Sequence, residues 1–220
     1  MNLKRQSKTV KDGEKYFNFS VTYQNHGPYD TTNFSPTNYV VKKDGYTDEG
    51  HAIFNNYLSG IHKTDLAIKE LWNYVDNSKE PIVLILFGDH NPWLGDNNSV
   101  YEMLGISLDL ETVDGGKNYY ETPYVIYANK VAKKALGKDV KGKGDTISPM
   151  FLMQEYFEVA GLEGSQYIKY LKDLRDTYNV INKVYVNKND SYILKSDDKD
   201  SEVLKHYRFI EYYLKNKKIK

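Results

Sequence analysis

The chain has no cysteine, which rules out disulfides, thiolate metal sites and cysteine nucleophiles. It has no excess of either charge: 30 lysines and arginines balance 30 aspartates and glutamates, so no broad electrostatic case for nucleic acid exists. It also lacks any run near the ~18 consecutive apolar residues that a membrane-spanning helix needs. Met1–Gln6 is polar and leads into no apolar segment, so no signal peptide is legible. Taken as a whole protein, such a chain would be soluble and intracellular; taken as a piece of a longer one, it fits a secreted or membrane-anchored protein equally well. What is abundant is tyrosine, 21 of 220 residues, which suits a surface meeting carbohydrate as well as it suits cores and interfaces.

The rest of the sequence is arranged around Pro81–His90. Ile82 to Phe87 are apolar without a break, Gly88 ends the run, and Asp89 and His90 follow. A short unbroken apolar run is how a strand buried on both faces reads. Residues just past the carboxyl end of such a strand are where open α/β sheets gather their ligand chemistry. A carboxylate next to an imidazole there is a plausible half of a metal site. The plainer reading is that Asp89 caps the next turn and His90 is simply exposed.

Tyr16 to Tyr23 alternates Phe17, Phe19, Val21 and Tyr23 with polar residues, the period of a strand, and ends in Asn25-His26-Gly27-Pro28-Tyr29. If the two strands are parallel neighbours, His26 and His90 can face one crevice. A turn histidine bonded to backbone is the alternative for His26. Between them, residues 30–50 read as loop and about His51 to Asp76 as a helix. Its stripe carries Phe54, Tyr57, Leu58, Ile61, Ile68, Leu71, Trp72 and Val75. Asp65 falls on that stripe and reads as a structural hydrogen-bonding group, whereas His62 and Lys69 lie to its side as surface residues.

Downstream, Trp93 sits in a turn-rich loop as a site residue or a loop anchor. A short helix is expected near Val100–Leu104, a strand over Thr122–Ala128, and a helix after Ser148-Pro149 that ends at Gly161. Gln166–Tyr178 is amphipathic, Val184–Val186 a possible short strand, and Asn187–Asp200 polar. Ser201–Lys215 reads as a last helix, before a basic end at Lys215, Lys217, Lys218 and Lys220. The pattern is α/β, with parallel strands alternating with helices.

Asn25–Tyr29 after a strand, Tyr57-x-x-x-Ile61-His62-x-Thr64-Asp65-x-Ala67-Ile68 on a helix, and Phe87-Gly88-Asp89-His90 after the next strand occur in this order in one family. The chain resembles the C-terminal part of the catalytic domain of lipoteichoic acid synthase-like phosphoglycerol transferases, in the sulfatase branch of the alkaline phosphatase superfamily. Thr122–Tyr127, the helix after Ser148-Pro149 and the ending Leu204-x-x-Tyr207-x-x-Ile210-x-Tyr212 are similar to later parts of it.

The resemblance implies a mainly parallel sheet flanked by helices, incomplete in this chain, over residues 16–164. A polar segment at 1–15 precedes it and a small α+β appendage at 165–220 follows. It implies that Asp89 and His90 are metal ligands, with manganese the usual ion, and that His26 approaches the substrate phosphoglycerol. Phosphatidylglycerol would be the donor and a glycerol-phosphate or glycopolymer the acceptor, with no nucleic acid partner. The family's glutamate ligand and nucleophilic threonine precede the Asn-His-Gly-Pro motif, and no matching motif lies in residues 1–24. Thr22, Thr31, Thr32 and Thr47 do not replace the threonine. The chain by itself is therefore expected to bind metal weakly and not to turn over. The parent is expected to be a multi-pass membrane protein of a Gram-positive-type bacterium, acting on the outer face of the membrane. A related sulfatase, phosphoethanolamine transferase or phosphodiesterase is the nearest alternative. Two others are a module that binds anionic glycopolymer without chemistry and a domain keeping the motif residues only as packing.

Overall fold

The computed structural model describes residues 14–32, 35–198 and 201–217. The polar segment 1–13, Lys218 and Lys220 lie outside the described residues.

Helix α1 runs over Asp48–Asp76. Thr47 caps it, its Oγ1 accepting from Gly50 N at 3.0 Å, and Asp48 and Glu49 complement the positive end of the helix dipole. Its first turns are held by a loop: buried Asn55 donates to Thr37 O (3.1 Å) and accepts from Tyr39 N (2.7 Å), while His51 Nε2 bonds Val40 O (2.8 Å). Ile53 packs there with Leu94 of the preceding loop and with Val100 of helix α2, Ser99–Met103. The middle of α1 stands clear of the other elements. Ile61 and Leu66 are exposed, and Asp65 is exposed too, so the expected structural bond from a buried Asp65 does not form. His62 and Lys69 are exposed, as their place beside the stripe predicts.

The end of α1 meets strands β1, Val83–Phe87, and β2, Tyr124–Ala128. Asn129 is the joint. Fully buried, it donates to Val75 O and Glu80 O, and its Oδ1 accepts from Ile82 N and from Ala132 N at the start of helix α4, Lys130–Leu136. Trp72 packs on Tyr127, whose hydroxyl donates to Asp76.

The α/β class holds, but the strand relations differ from expectation. β1 and β2 are antiparallel, with Val83 opposite Ala128 and Phe87 opposite Tyr124. Helix α3, Val113–Tyr120, explains the direction. Its C-terminal end is tied beside the carboxyl end of β1, where Asn91 Nδ2 reaches Asn118 O, Tyr119 O and Glu121 O, each at 3.1 Å. The next residues therefore start β2 where β1 stops: Gly88 N donates to Pro123 O and Thr122 Oγ1 to Gly88 O. β1 is also only half-buried, with Phe87 exposed, rather than covered on both faces. The alternating segment Tyr16–Tyr23 forms no strand. Phe17, Phe19, Val21 and Tyr23 are exposed and no ladder partner lies beside them among the described residues, so the period-two pattern has nothing to pair with.

The C-terminal region builds its own core. A 3₁₀ turn, Pro149–Phe151, leads into α5, Leu152–Ala160, which Gly161 ends in the left-handed conformation at φ 64°. Ser148 does not cap through its side chain; its hydroxyl instead bonds both N and O of Ile181. Helix α6, Gln166–Arg175, is followed by an antiparallel meander of β3, Tyr178–Ile181, β4, Tyr185–Lys188, and β5, Ser191–Leu194, and then by α7, Glu202–Asn216. Phe151, Leu171, Leu174, Tyr178, Val186, Leu204 and Tyr207 form the buried cluster. β5 lies inside the stretch that reads as merely polar. Asn189 and Asp190, both at positive φ, make a two-residue turn whose twist suits a hairpin.

Candidate metal and phosphate site

The site grows from the end of β1. Gly88 is required by packing, because a Cβ there would lie 2.9 Å from Thr122 Cβ. With Gly88 pinned to the start of β2, the chain leaves the sheet and presents Asp89 and His90 at the surface. Asp89 Oδ1 accepts from the adjacent His90 N at 2.9 Å. Its Oδ2 remains, 3.6 Å from His90 Nε2, with both side chains mostly exposed. That is too long for a hydrogen bond. It is a spacing that two ligands of one ion can share at ligand distances of about 2.1 Å.

The imidazole is oriented by its other nitrogen. His90 Nδ1 lies 2.9 Å from Asn91 O, and a carbonyl oxygen can only accept, so Nδ1 carries a proton and Nε2 is left for a ligand. Fixing a ligand histidine through a backbone carbonyl is the usual supporting arrangement at metal sites. Asn91 is itself anchored by its side chain to the end of α3, so the order runs from α3 through Asn91 and His90 to Asp89. Sequence reasoning passed over Asn91 as one more turn residue; the only signal was its place directly after the Asp-His pair.

His26 reaches the same place by a different route. Asn25 takes a left-handed conformation (φ 64°) and lays its side chain on α1, donating to Tyr57 O at 3.3 Å. Gly60 makes room, since a Cβ there would fall 1.6 Å from Asn25 Oδ1. Tyr29 secures the loop through its hydroxyl to Asn25 O, and its ring meets Tyr57 edge-on. A cis bond joins Gly27 to Pro28. His26 Nδ1 bonds Gly27 O at 2.8 Å, Tyr23 stacks on the ring at 4.6 Å, and the ring stands perpendicular to that of His90 with centroids 6.5 Å apart. The two imidazoles therefore lie side by side at the surface, although no strand precedes His26. Phe19 stacks near Phe87, which brings the segment before His26 alongside the end of β1.

The pair Asp89 and His90 thus fits a divalent ion as two ligands. Among the described residues no group of three or more histidines, aspartates or glutamates forms a fuller site. Among the described threonines, Thr47 caps α1, Thr32 bonds Asp30, and Thr122 commits its hydroxyl proton to Gly88 O. Trp93 anchors its loop by donating Nε1–H to Gly95 O, while its ring stays exposed.

A family model described as Sulfatase matches residues 3–162, which include every residue of this site. The chain belongs to the sulfatase family. It is 30% identical over 217 residues, 94% of its length, to a protein of Rhizobium meliloti (strain 1021) named "Putative cyclic beta-1,2-glucan modification protein". Over 112 residues, 51% of its length, it is 26% identical to the phosphoethanolamine transferase EptA of Helicobacter pylori. The chain spans 32% of the first relative's length and 20% of the second's. No solved structure matches it.

Proposed function

We propose that this chain supplies the Asp-His metal ligands and a phosphate-facing histidine to a site that moves a phosphodiester-linked headgroup. The favoured headgroup is phosphoglycerol taken from phosphatidylglycerol, with a glycopolymer as acceptor, at the outer face of the cell membrane. The observation that carries the reading is the meeting of Asp89, His90 and His26 at one place on the surface, each imidazole fixed by a backbone carbonyl.

A bound divalent ion, manganese by preference, would offset charge on the phosphoryl oxygens and make an attacking hydroxyl more acidic. Asp89 Oδ2 and His90 Nε2 would hold it. His26, with Nδ1–H committed to Gly27 O, works through Nε2 alone. As imidazolium it donates Nε2–H to a phosphoryl oxygen or a departing alkoxide; when neutral it accepts the proton of an incoming hydroxyl. The attacking hydroxyl and the remaining ligands come from groups other than Asp89, His90 and His26, so the chain alone binds metal weakly and does not turn over.

Phosphoethanolamine is the second reading, favoured by the likeness to the Helicobacter transferase. The name of the Rhizobium relative favours a glucan as acceptor. The test is headgroup transfer in membranes of cells making the protein, supplied with phosphatidylglycerol or phosphatidylethanolamine labelled in the headgroup. Transfer is expected to vanish with Asp89→Ala or His90→Ala and to fall by about 10²–10⁴ with His26→Ala. Transfer that persists in Asp89→Ala would overturn the proposal. Polymer binding without transfer, unchanged by these substitutions, would favour a binding module instead.

A further inference from the structure

Helix α7 is amphipathic twice over. One side, with Leu204 and Tyr207, is buried in the C-terminal core. At about 100° per residue, Phe209 and Tyr213 stand on the opposite side with Tyr212 next to them. These three rings are 70%, 57% and 68% exposed. Rings that large are seldom left in water side by side without a use.

Their surroundings are cationic. Lys205, Arg208, Lys215 and Lys217 are all exposed along the same helix and its end. Of the two acidic residues of α7, Glu202 pairs with Lys205, and Glu211 takes the hydroxyl of buried Tyr207. Burial and then the like charge of Arg208 push the Lys195 ammonium pKa down, against the opposite pull of Glu211. Lys218 and Lys220 extend the basic sequence beyond.

We propose that this face of α7 docks the protein on an anionic lipid surface. Aromatic rings flanked by lysine and arginine on a helix of low overall hydrophobicity match what an interfacial helix presents to headgroups. A second copy is a poorer occupant, because pairing two such faces would bring their cationic rims together. The helix lies on the surface rather than through it: no helix among the described residues is long and apolar enough to cross a membrane.

The test is co-sedimentation of the full chain with vesicles of phosphatidylcholine alone and of phosphatidylcholine with phosphatidylserine. Phosphatidylserine carries neither of the headgroups proposed for the Asp89–His90 site. Binding is expected to the anionic vesicles only, to weaken as salt rises, and to be unchanged by Asp89→Ala. Replacing Phe209, Tyr212 and Tyr213 by serine should lower it at least tenfold with circular dichroism and melting unchanged. Lys215→Gln and Lys217→Gln should each lower it about fivefold. Failure to bind either vesicle, or binding that none of these substitutions alters, would overturn the proposal. So would a dimer in sedimentation velocity that the serine variant dissociates, since a second copy would then cover the rings.

Discussion

Gly60 and Asn25 show how much of the site depends on one missing methyl group. Gly60→Ala suits the interior of α1, where alanine in place of glycine contributes about 0.5–1 kcal/mol. Yet its Cβ would occupy the position of Asn25 Oδ1 and push the His26 loop off the helix. Melting temperature is therefore expected to hold or rise while the imidazole resonances of His26 move and those of exposed His62 do not. Unchanged His26 resonances would show that the loop is held by something else. Asn91 makes a similar test for the metal ligands. Asn91→Ala frees the His90 segment from the end of α3 and should weaken manganese binding by about 10- to 100-fold in calorimetry, as losing a ligand's support does elsewhere.

Among the elements, the docking of β3 and β4 against the start of α7 rests on Asp198, whose side chain is only 5% exposed. It accepts from Lys188 Nζ at 2.6 Å and from Tyr178 O–H at 2.7 Å, and the Tyr178 hydroxyl also meets Ser201 Oγ at 2.8 Å. Burial alone would push the Asp198 carboxyl up, and its two bonds outweigh that, holding the pKa below the ordinary carboxylate value. A lowered carboxylate pKa contributes stability above the unfolded value of about 4, and that contribution is lost as pH falls through the folded one. Urea midpoints should thus fall below about pH 4, and less so in Asp198→Asn. At neutral pH that substitution should cost about 1.5–3 kcal/mol, the range for hydrogen bonds to a charged group. Equal acid sensitivity in the variant would place the effect at other carboxylates.

On the scale of the whole molecule, two cores are built around different residues. Ile53, Leu94 and Val100 form one; Phe151 and its neighbours form the other. Tyr185 joins β4 to the α3 region, its hydroxyl donating to Glu121 at 3.2 Å and its ring lying over Gly116. Phe151→Ala should cost about 3–5 kcal/mol in urea unfolding. Tyr29 and Tyr101 pack against the first core, and burial together with neighbouring phenols pushes each hydroxyl up to about 12. A raised phenol pKa contributes fully below about pH 10 and is lost as pH rises through the folded value. In Phe151→Ala, near-ultraviolet signals from these tyrosines should outlast the C-terminal transition at pH 8 and disappear between about pH 10 and 12. Loss of both signals in one step at pH 8 would show the cores unfold as one.

Much was legible from residues alone, because local chemistry decides it. The α1 helix, the β1 strand, the Gly161 stop and the pairing of Asp89 with His90 follow from periodicity, capping and adjacency in the chain. His26 was legible as a companion of His90 from its place after an apparent strand, although that strand does not form, and its supports Asn25 and Gly60 were not, since their contact joins residues 35 positions apart. Alternation in Tyr16–Tyr23 and the apolar run of β1 describe what a strand would look like but cannot supply its partner. Strand direction was likewise outside the reach of local pattern: Asn91 binding the end of α3 returns the chain to where β1 stops and makes β2 antiparallel. Composition and spacing thus determined which residues could do chemistry. Only tertiary structure, through close contacts and backbone bonds between distant segments, decided which of them meet.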